Sequence, residues 1–427
     1  MSALWAQLIK EVEGRQLQYC VLRDIPSELS AADEPVSSSS TTRRVEVDFL
    51  VAEEQLPELS QLLSDSGFIR LQRWGYAPHQ FFVAYDESCD LWLKLDVVTR
   101  IAFGQPAHVF RSKLADDCLR NRVRSGNTFV PAPEEEFVTL LLHCLIDKRN
   151  VRPDRRTRLQ QIARMPLDEG RLETLIAEYF PAGHNWASLR KRVLEDDWES
   201  LLLDRAQIVK HLGRSDPFRR RGRQIRDRIL RKLSRIRTLV KPEVPTVALL
   251  APDGAGKSTV AQGVVESFFF PSRLVYMGMY QKNHHGYGTM KIPVVGLVIR
   301  MSRQWLRYAR ARLYQAGGRL VLFDRYNYDA MLNAGKNEGV LRRVRRWMLA
   351  HSCPHADMVF MLDAPGESLY ERKQEHSVEI LEEQRLAYRA LSQKLPQMVI
   401  VDATKDINEV RREVLSGIWR GCAKTRR

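Results

Sequence analysis

Cysteine is scarce in this chain: six in 427 residues, at positions 20, 89, 118, 144, 353 and 422. None forms a Cys-x-x-Cys pair, which argues against a thiolate zinc site and for reduced, mostly buried thiols in a cytoplasmic protein. Long hydrophobic runs are lacking as well. The longest, around Val244–Ala251 and Ile292–Ile299, fall short of the ~20 apolar residues that span a bilayer. Residues Met1–Lys10 run straight into charged sequence, so no signal peptide is expected. Low-complexity sequence is limited to Ser37–Thr42, inside a polar run from Ser27 to Arg44 that reads as a mobile loop. There is no internal repeat. Acidic residues are outnumbered, 52 against 67 Lys and Arg, leaving a net charge of +15.

With 44% hydrophobic and 28% charged residues, the chain has the composition of a globular protein with ample core. Its length fits two or three domains. Residues 1–130 mix strands and helices. Residues 131–242 read as helical, and 243–427 alternate strands with helices after the Pro242 and Pro245 boundary. Much of the positive charge lies in 214–241. There Ile225, Ile229, Leu233, Ile236 and Val240 recur at helical spacing, giving a basic amphipathic helix. Three roles stay open for it: a stripe packed on a neighbouring domain, contact with an anionic membrane surface, or nucleic-acid binding. The last is disfavoured because no aromatic residues interleave for base stacking.

Four apolar runs, Val247–Leu250, Leu320–Phe323, Met358–Leu362 and Met398–Val401, read as strands of a parallel sheet covered on both faces. This α/β layout binds ligands at the carboxyl ends of its strands. Asp253, Asp324-Arg325-Tyr326, Asp363 and Asp402 follow the four runs there. After the first run comes Gly254-Ala255-Gly256-Lys257-Ser258-Thr259. Such glycines let backbone N–H groups turn inward on phosphate oxygens, and the next helix adds its positive end. Lys257 would reach the β/γ-phosphates and Ser258 would hold Mg²⁺. The full pattern has glycine where this chain has Ala251.

Pro252-Asp-Gly-Ala-Gly-Lys-Ser-Thr259 resembles the phosphate loop of the thymidylate kinase family. Val321–Tyr326 resembles that family's Asp-Arg-Tyr motif, and Val359–Pro365 its Leu-Asp-x-Pro strand end. Glu371-Arg372-Lys373 sits where the family has a basic lid, Leu381–Leu391 resembles the helix after it, and Val401–Thr404 the segment near adenine. The resemblance covers about 243–425. It implies a doubly wound P-loop sheet with flanking helices that uses ATP and Mg²⁺. It places Asp253 toward the acceptor; the charge demands of phosphoryl transfer would put Arg325 on an acceptor phosphate, Asp324 with Ser258 at the metal, and Arg372 and Lys373 over the transferred group. Tyr326 belongs to the same acceptor motif.

Residues Val275–Gly286 depart from that family's acidic-proline-glycine segment. A helix at about Val294–Gln315 follows. Val298, Met301, Trp305 and Tyr308 are its expected core stripe. Arg300, Arg303, Arg307 and Arg310 form either a solvated face or an anion-binding wall of the acceptor site.

In the N-terminal region, Val45–Val51 alternates so that Glu46 and Asp48 share one strand face, while Leu91–Asp96 brings Lys94 and Asp96 together. Glu46, Asp48 and Asp96 would suit a two-Mg²⁺ site. With the strand Gln18–Arg23 and the helix Pro133–Lys148, this resembles the minimal nucleotidyltransferase fold. The fold's Gly-Ser pair is replaced here by Asp24–Ser27 and the serine-rich loop, which leaves open an active transferase, a degenerate binding version of the fold, and unrelated solvated strand faces. His143 reads as a core histidine.

The expected architecture is therefore α/β: a nucleotidyltransferase-like α+β domain, a helical connector, and a P-loop domain. The expected activity is transfer of the ATP γ-phosphoryl to a nucleoside monophosphate or another small phosphorylated or sugar acceptor. The alternatives are a bifunctional kinase and nucleotidyltransferase acting on a surface-polysaccharide precursor, and a non-catalytic ATP-dependent switch. Homodimer formation stays open.

Overall fold

The computed structural model describes residues 2–23, 29, 42–71, 79–104, 110–213, 229, 244–278, 293–332, 339–374 and 376–426. The serine-rich loop, all of the expected basic helix 214–241 except Ile229, and the departing segment from residue 279 onward lie outside these residues. The described residues fall into two compact units. The first takes in 2–23, 44–71, 79–84 and 93–213. The second takes in Thr42, Arg43, Tyr85–Trp92 and the described residues from Val244 onward. No described helix is long and apolar enough to cross a membrane.

The first unit opens with α1 (Ala3–Gly14), whose cap Ser2 accepts from the Trp5 N–H at 3.3 Å and whose inner face buries Trp5, Leu8, Ile9 and Val12. Five strands form one sheet in the order β1-β2-β5-β4-β3: β1 (Tyr19–Val21), β2 (Arg43–Val51), β3 (Ile69–Arg70), β4 (His79–Asp86) and β5 (Leu91–Val98). The alternation expected of β2 is present: Val45, Val47 and Phe49 are buried while Glu46 is exposed and Asp48 half-buried. Helix α2 (Leu56–Asp65) follows β2, and two short antiparallel ribbons follow β5: β6–β7 (Ala102–Phe103, Phe110–Arg111) and β8–β9 (Val123–Ser125, Thr128–Val130).

Helices α3 (Leu114–Arg120), α4 (Pro133–Leu142), α5 (Pro153–Ala163), α6 (Glu169–Tyr179), α7 (Trp186–Leu194), α8 (Trp198–Leu203) and α9 (Arg205–Leu212) share one core with Cys20 and Leu50 of the sheet. Proline at the first helical position starts both α4 and α5, where its missing N–H costs nothing. The helix expected over Pro133–Lys148 is not uniform. It is α-helical to Leu142 and π-helical from His143 to Lys148, and it ends on the left-handed Arg149 (φ 53°). Three buried glutamates open α4, and each has a partner. Glu136 takes two bonds from Arg158 at 2.6 and 2.7 Å, Glu135 accepts from Arg171 Nε at 2.9 Å, and Glu134 accepts from the Asp168 N–H at 2.9 Å.

The second unit is built on a five-stranded sheet, β11-β12-β10-β13-β14, in which every adjacent pair is parallel. Its strands are β10 (Thr246–Leu250), β11 (Ser272–Tyr276), β12 (Leu320–Asp324), β13 (Met358–Asp363) and β14 (Met398–Asp402). Helices α10 (Lys257–Ser267), α11 (Pro293–Ala316), α12 (Val340–Ala350), α13 (Gly366–Arg372), α14 (Val378–Ala390) and α15 (Ile407–Arg426) connect and follow them. The four expected strands are all present.

Two details differ from the sequence reading. Coverage on both faces holds for β10, β12 and the middle of β13, whereas edge strand β14 leaves Val399 and Ile400 exposed. The other edge strand, β11, has no buried residue and so gave no continuous apolar signal.

The core stripe of α11 is also rotated from the one expected. Val298 and Trp305 are exposed. The inward residues are Leu297, Met301, Gln304, Tyr308, Ala311 and Gln315, spaced four, three, four, three and four apart. Two buried glutamines broke the apolar pattern. Each uses its amide to satisfy a backbone carbonyl: Gln304 donates to Met277 O at 2.8 Å and Gln315 to Val244 O at 2.7 Å. Gln315→Leu, which strands the Val244 carbonyl, is expected to cost about 1–3 kcal/mol. Val298→Ala should stay within about 0.5 kcal/mol. Denaturant titration of both variants measures the difference.

Candidate functional site

Parallel pairing aligns the carboxyl ends of the second unit's strands. Leu249 pairs with Asp324 across β10 and β12, Tyr276 with Asp324 across β11 and β12, and Asp363 with Asp402 across β13 and β14. Between β10 and α10 the chain turns through Gly254 (φ 89°) and Gly256 (φ 75°), both in the left-handed region that glycine tolerates best. A Cβ on Gly254 would stand 2.7 Å from the Leu369 carbonyl of α13. This turn points α10 at the strand ends, with Ala255 buried beneath it and Ser258 and Thr259 exposed in the first helical turn.

Lys257 donates to Asp324 Oδ1 at 2.8 Å, and both side chains are largely shielded from water. The next residue, Arg325, sits at φ 62° and donates to Asp253 Oδ1 at 2.9 Å, while His376 Nε2 lies 3.8 Å from the other oxygen of Asp253. A non-glycine residue held at such a φ indicates surrounding structure that over-determines it. Beneath this group lies Asp329. Burial raises its pKa, opposed by Arg325 and by the Tyr388 hydroxyl, which donates to it at 3.1 Å. Asp253, Lys257, Asp324 and Arg325 are thus brought together as two ion pairs around one glycine turn.

The other expected residues are placed less simply. Tyr326, read as an acceptor contact, is fully buried between Phe323 and Tyr328 and donates to the Pro354 carbonyl. It braces the turn that carries Arg325, its side chain enclosed in the core. Arg372 is on the helix that abuts Gly254, but its Nη1 donates to Ala403 O at 2.9 Å, past the end of β14. Lys373 follows it on the exposed surface. Arg307 donates to Gly278 O at 3.1 Å and lies over the Tyr276 ring, at the carboxyl end of β11, whereas Arg303 is exposed. Asp363 is engaged by Arg385 at 2.8 Å and by Arg389 at 3.5 Å.

In the first unit, neighbouring strands β2 and β5 bring together the carboxylates expected there. Oxygens of Glu46, Asp48 and Asp96 lie within 4.8 Å of one another. Each has a basic partner: Lys94 on Glu46 at 2.7 Å, Arg23 on Asp48 at 2.7 Å, and His79 on Asp96 at 2.9 Å. Burial raises the pKa of Asp48, with Arg23 opposing and Asp96 reinforcing the shift. Three hard oxygen donors at this spacing fit a divalent cation. Beside them is a cavity of about 310 Å³ whose lining includes Arg23, Glu46, Asp48, Arg152, Arg155 and Arg158.

His143 has a role the sequence reading did not assign. It lies at the start of the π-helical turn, where Arg23 Nη2 approaches its Nε2 at 3.5 Å and its Nδ1 is 3.0 Å from Asp147. Burial lowers its pKa from 6.5 to about 4 despite the Asp147 contact, so the ring is neutral. Nε2 then accepts from Arg23 and Nδ1–H donates to Asp147. The chain Asp147–His143–Arg23–Asp48 therefore leads from the helix to the acidic group. Also missed were Arg152, Arg155 and Arg158. Their spacing of three along the start of α5 was the available signal.

No protein-family model and no curated protein matches this chain. The functional reading therefore rests on the chain's own residues and their geometry.

The folded pKa of His143 lies below its unfolded value. Its contribution to stability is therefore complete above pH 6.5 and is lost as pH falls through about 4. Over that window the wild type should lose thermal stability more steeply than His143→Gln. Equal slopes would remove the buried neutral imidazole from the account. Gly254→Ala, strained at φ 89° and pressed on Leu369 O, should cost the second unit about 1–3 kcal/mol by denaturant titration.

Proposed function

We propose that the second unit is an ATP-dependent phosphotransferase of thymidylate-kinase-like, P-loop type. Its acceptor is a nucleoside monophosphate or another small phosphorylated or sugar molecule. The observation that carries this reading is the glycine turn 254–256 opening α10, with Lys257 against Asp324 and Arg325 against Asp253 at adjoining strand ends. A left-handed glycine turn at the start of a helix presents backbone N–H groups to phosphate oxygens. Gly254 is required twice over, by its left-handed backbone and by the Leu369 carbonyl that a Cβ would strike.

In this reading Lys257 exchanges Asp324 for the β/γ-phosphate oxygens of ATP. The exposed Ser258 hydroxyl and the Asp324 carboxylate are oxygen donors suited to Mg²⁺. When bound, Mg²⁺ neutralises charge on the transferred group. Arg325 keeps one donor on Asp253 and offers the rest of its planar guanidinium to an acceptor phosphate. For an acceptor hydroxyl, Asp253 is the carboxylate nearest that arginine and takes its proton. Arg372 joins only by releasing the Ala403 carbonyl, and Lys373 by moving in from the surface beside it, a closure that would exclude water.

A second reading belongs to the first unit. The three clustered carboxylates beside an arginine-lined cavity support metal-dependent nucleotidyl transfer, which would make the protein bifunctional and suited to building a surface-polysaccharide precursor.

The test is transfer of labelled γ-phosphate from ATP to nucleoside monophosphates, sugars and sugar phosphates, with labelled α-phosphate followed separately. Lys257→Ala should lower γ-transfer by ~100-fold or more. Arg325→Ala should raise the acceptor KM about tenfold or more. Asp48→Asn should leave γ-transfer intact and abolish any α-phosphate incorporation. Slow phosphate release with no labelled acceptor would replace the kinase reading with an ATP-dependent switch.

A further inference from the structure

Helix α12 reads Val-Leu-Arg-Arg-Val-Arg-Arg-Trp-Met-Leu-Ala from Val340 to Ala350. Its C-terminal end is anchored: Leu349 and Ala350 are buried with Ala330, against Leu297 and Met301 of α11. Met348 is half-buried, and the remaining apolar residues face outward. Leu341 is 86% exposed, Val340 72%, Trp347 63% and Val344 50%. Val340, Val344 and Trp347 recur four and then three apart, forming one stripe with Leu341 at its flank. A surface helix normally turns such a stripe toward the core; here the stripe faces away from it. At 100° per residue, Arg343 and Arg345 border the stripe on opposite sides, and Arg342 and Arg346 add further positive charge.

The neighbouring helix α11 repeats the pattern. Val298, Trp305, Leu306 and Leu313 are exposed, and five arginines lie along the same helix. Neither helix contains an aspartate or glutamate.

Charge decides what fits this face. A two-fold contact with a second copy would set one arginine-bordered stripe against another, with no acid on either helix to compensate. Nucleic acid would answer the arginines but leave the aliphatic stripe in water. An anionic lipid surface answers both: the acyl boundary takes the valines, leucine and tryptophan, and the headgroup phosphates take the guanidinium groups. We propose that α12 is an interfacial helix that docks the second unit on an anionic bilayer. This proposal does not rest on the phosphotransferase reading, and it concerns a helix other than the basic segment 214–241.

The test is co-sedimentation of the full-length protein with vesicles of phosphatidylcholine alone or of phosphatidylcholine with phosphatidylglycerol. Binding to the anionic vesicles only, weakening as salt rises, is expected. Leu341→Glu/Val344→Glu and Arg342→Gln/Arg343→Gln change exposed side chains, so both should keep the wild-type circular dichroism and thermal midpoint. Each should weaken vesicle binding by about tenfold or more. The proposal is overturned if anionic vesicles fail to bind, or if both double variants bind as wild type, which would assign docking to another basic surface. It is equally overturned if the glutamate variant abolishes a concentration-dependent dimer in a protein that ignores vesicles.

Discussion

Parallel pairing of β10 with both β12 and β13 is the constraint from which the second unit's site follows. Parallel strands must all run the same way, so their carboxyl ends meet at one edge, and each connection must return by a helix on a face. Asp253, Asp324 and Arg325 meet because they follow strands held in register, although about seventy positions separate the first from the others in the chain. Lys257 joins them because two glycines at positive φ turn the chain directly into α10. The Lys257–Asp324 pair is largely shielded from water, which strengthens it, whereas Arg325–Asp253 stays partly open to solvent.

The first unit reaches a comparable concentration of charge by another route. Adjacent strands align Glu46 and Asp48 with Asp96, and like charges so close are tolerated because Lys94, Arg23 and His79 each take one. Arg23 is itself held by a neutral His143 on a π-helical turn, a distortion often found where a helix serves a site. In both units, clustered acids are each matched by a basic side chain.

Helices α11 and α12 show a limit of periodicity as a guide to burial. The apolar spacing of α11 predicts a stripe that includes Val298 and Trp305, which are exposed, because the true inward stripe includes Gln304 and Gln315. Those glutamines are inside because each donates to a backbone carbonyl, a pairing no spacing rule carries. In α12 the periodicity was strong, yet its stripe faces outward.

Local sequence was enough to locate the four apolar strands, the glycine turn before Lys257 and the alternation that sets Glu46 and Asp48 on one face. Strand coverage, turn chemistry and side-chain period act within a few residues. Only the tertiary structure decided that Tyr326 is a buried brace, that Arg372 turns to Ala403, and that His143 bears on Asp48 through Arg23. It alone placed Arg152, Arg155 and Arg158 on a cavity beside the acids. Each of these depends on partners far away in the chain. Burial and hydrogen bonding select among side-chain roles after the backbone has closed, and a linear reading carries no information about which distant groups will be left needing a partner.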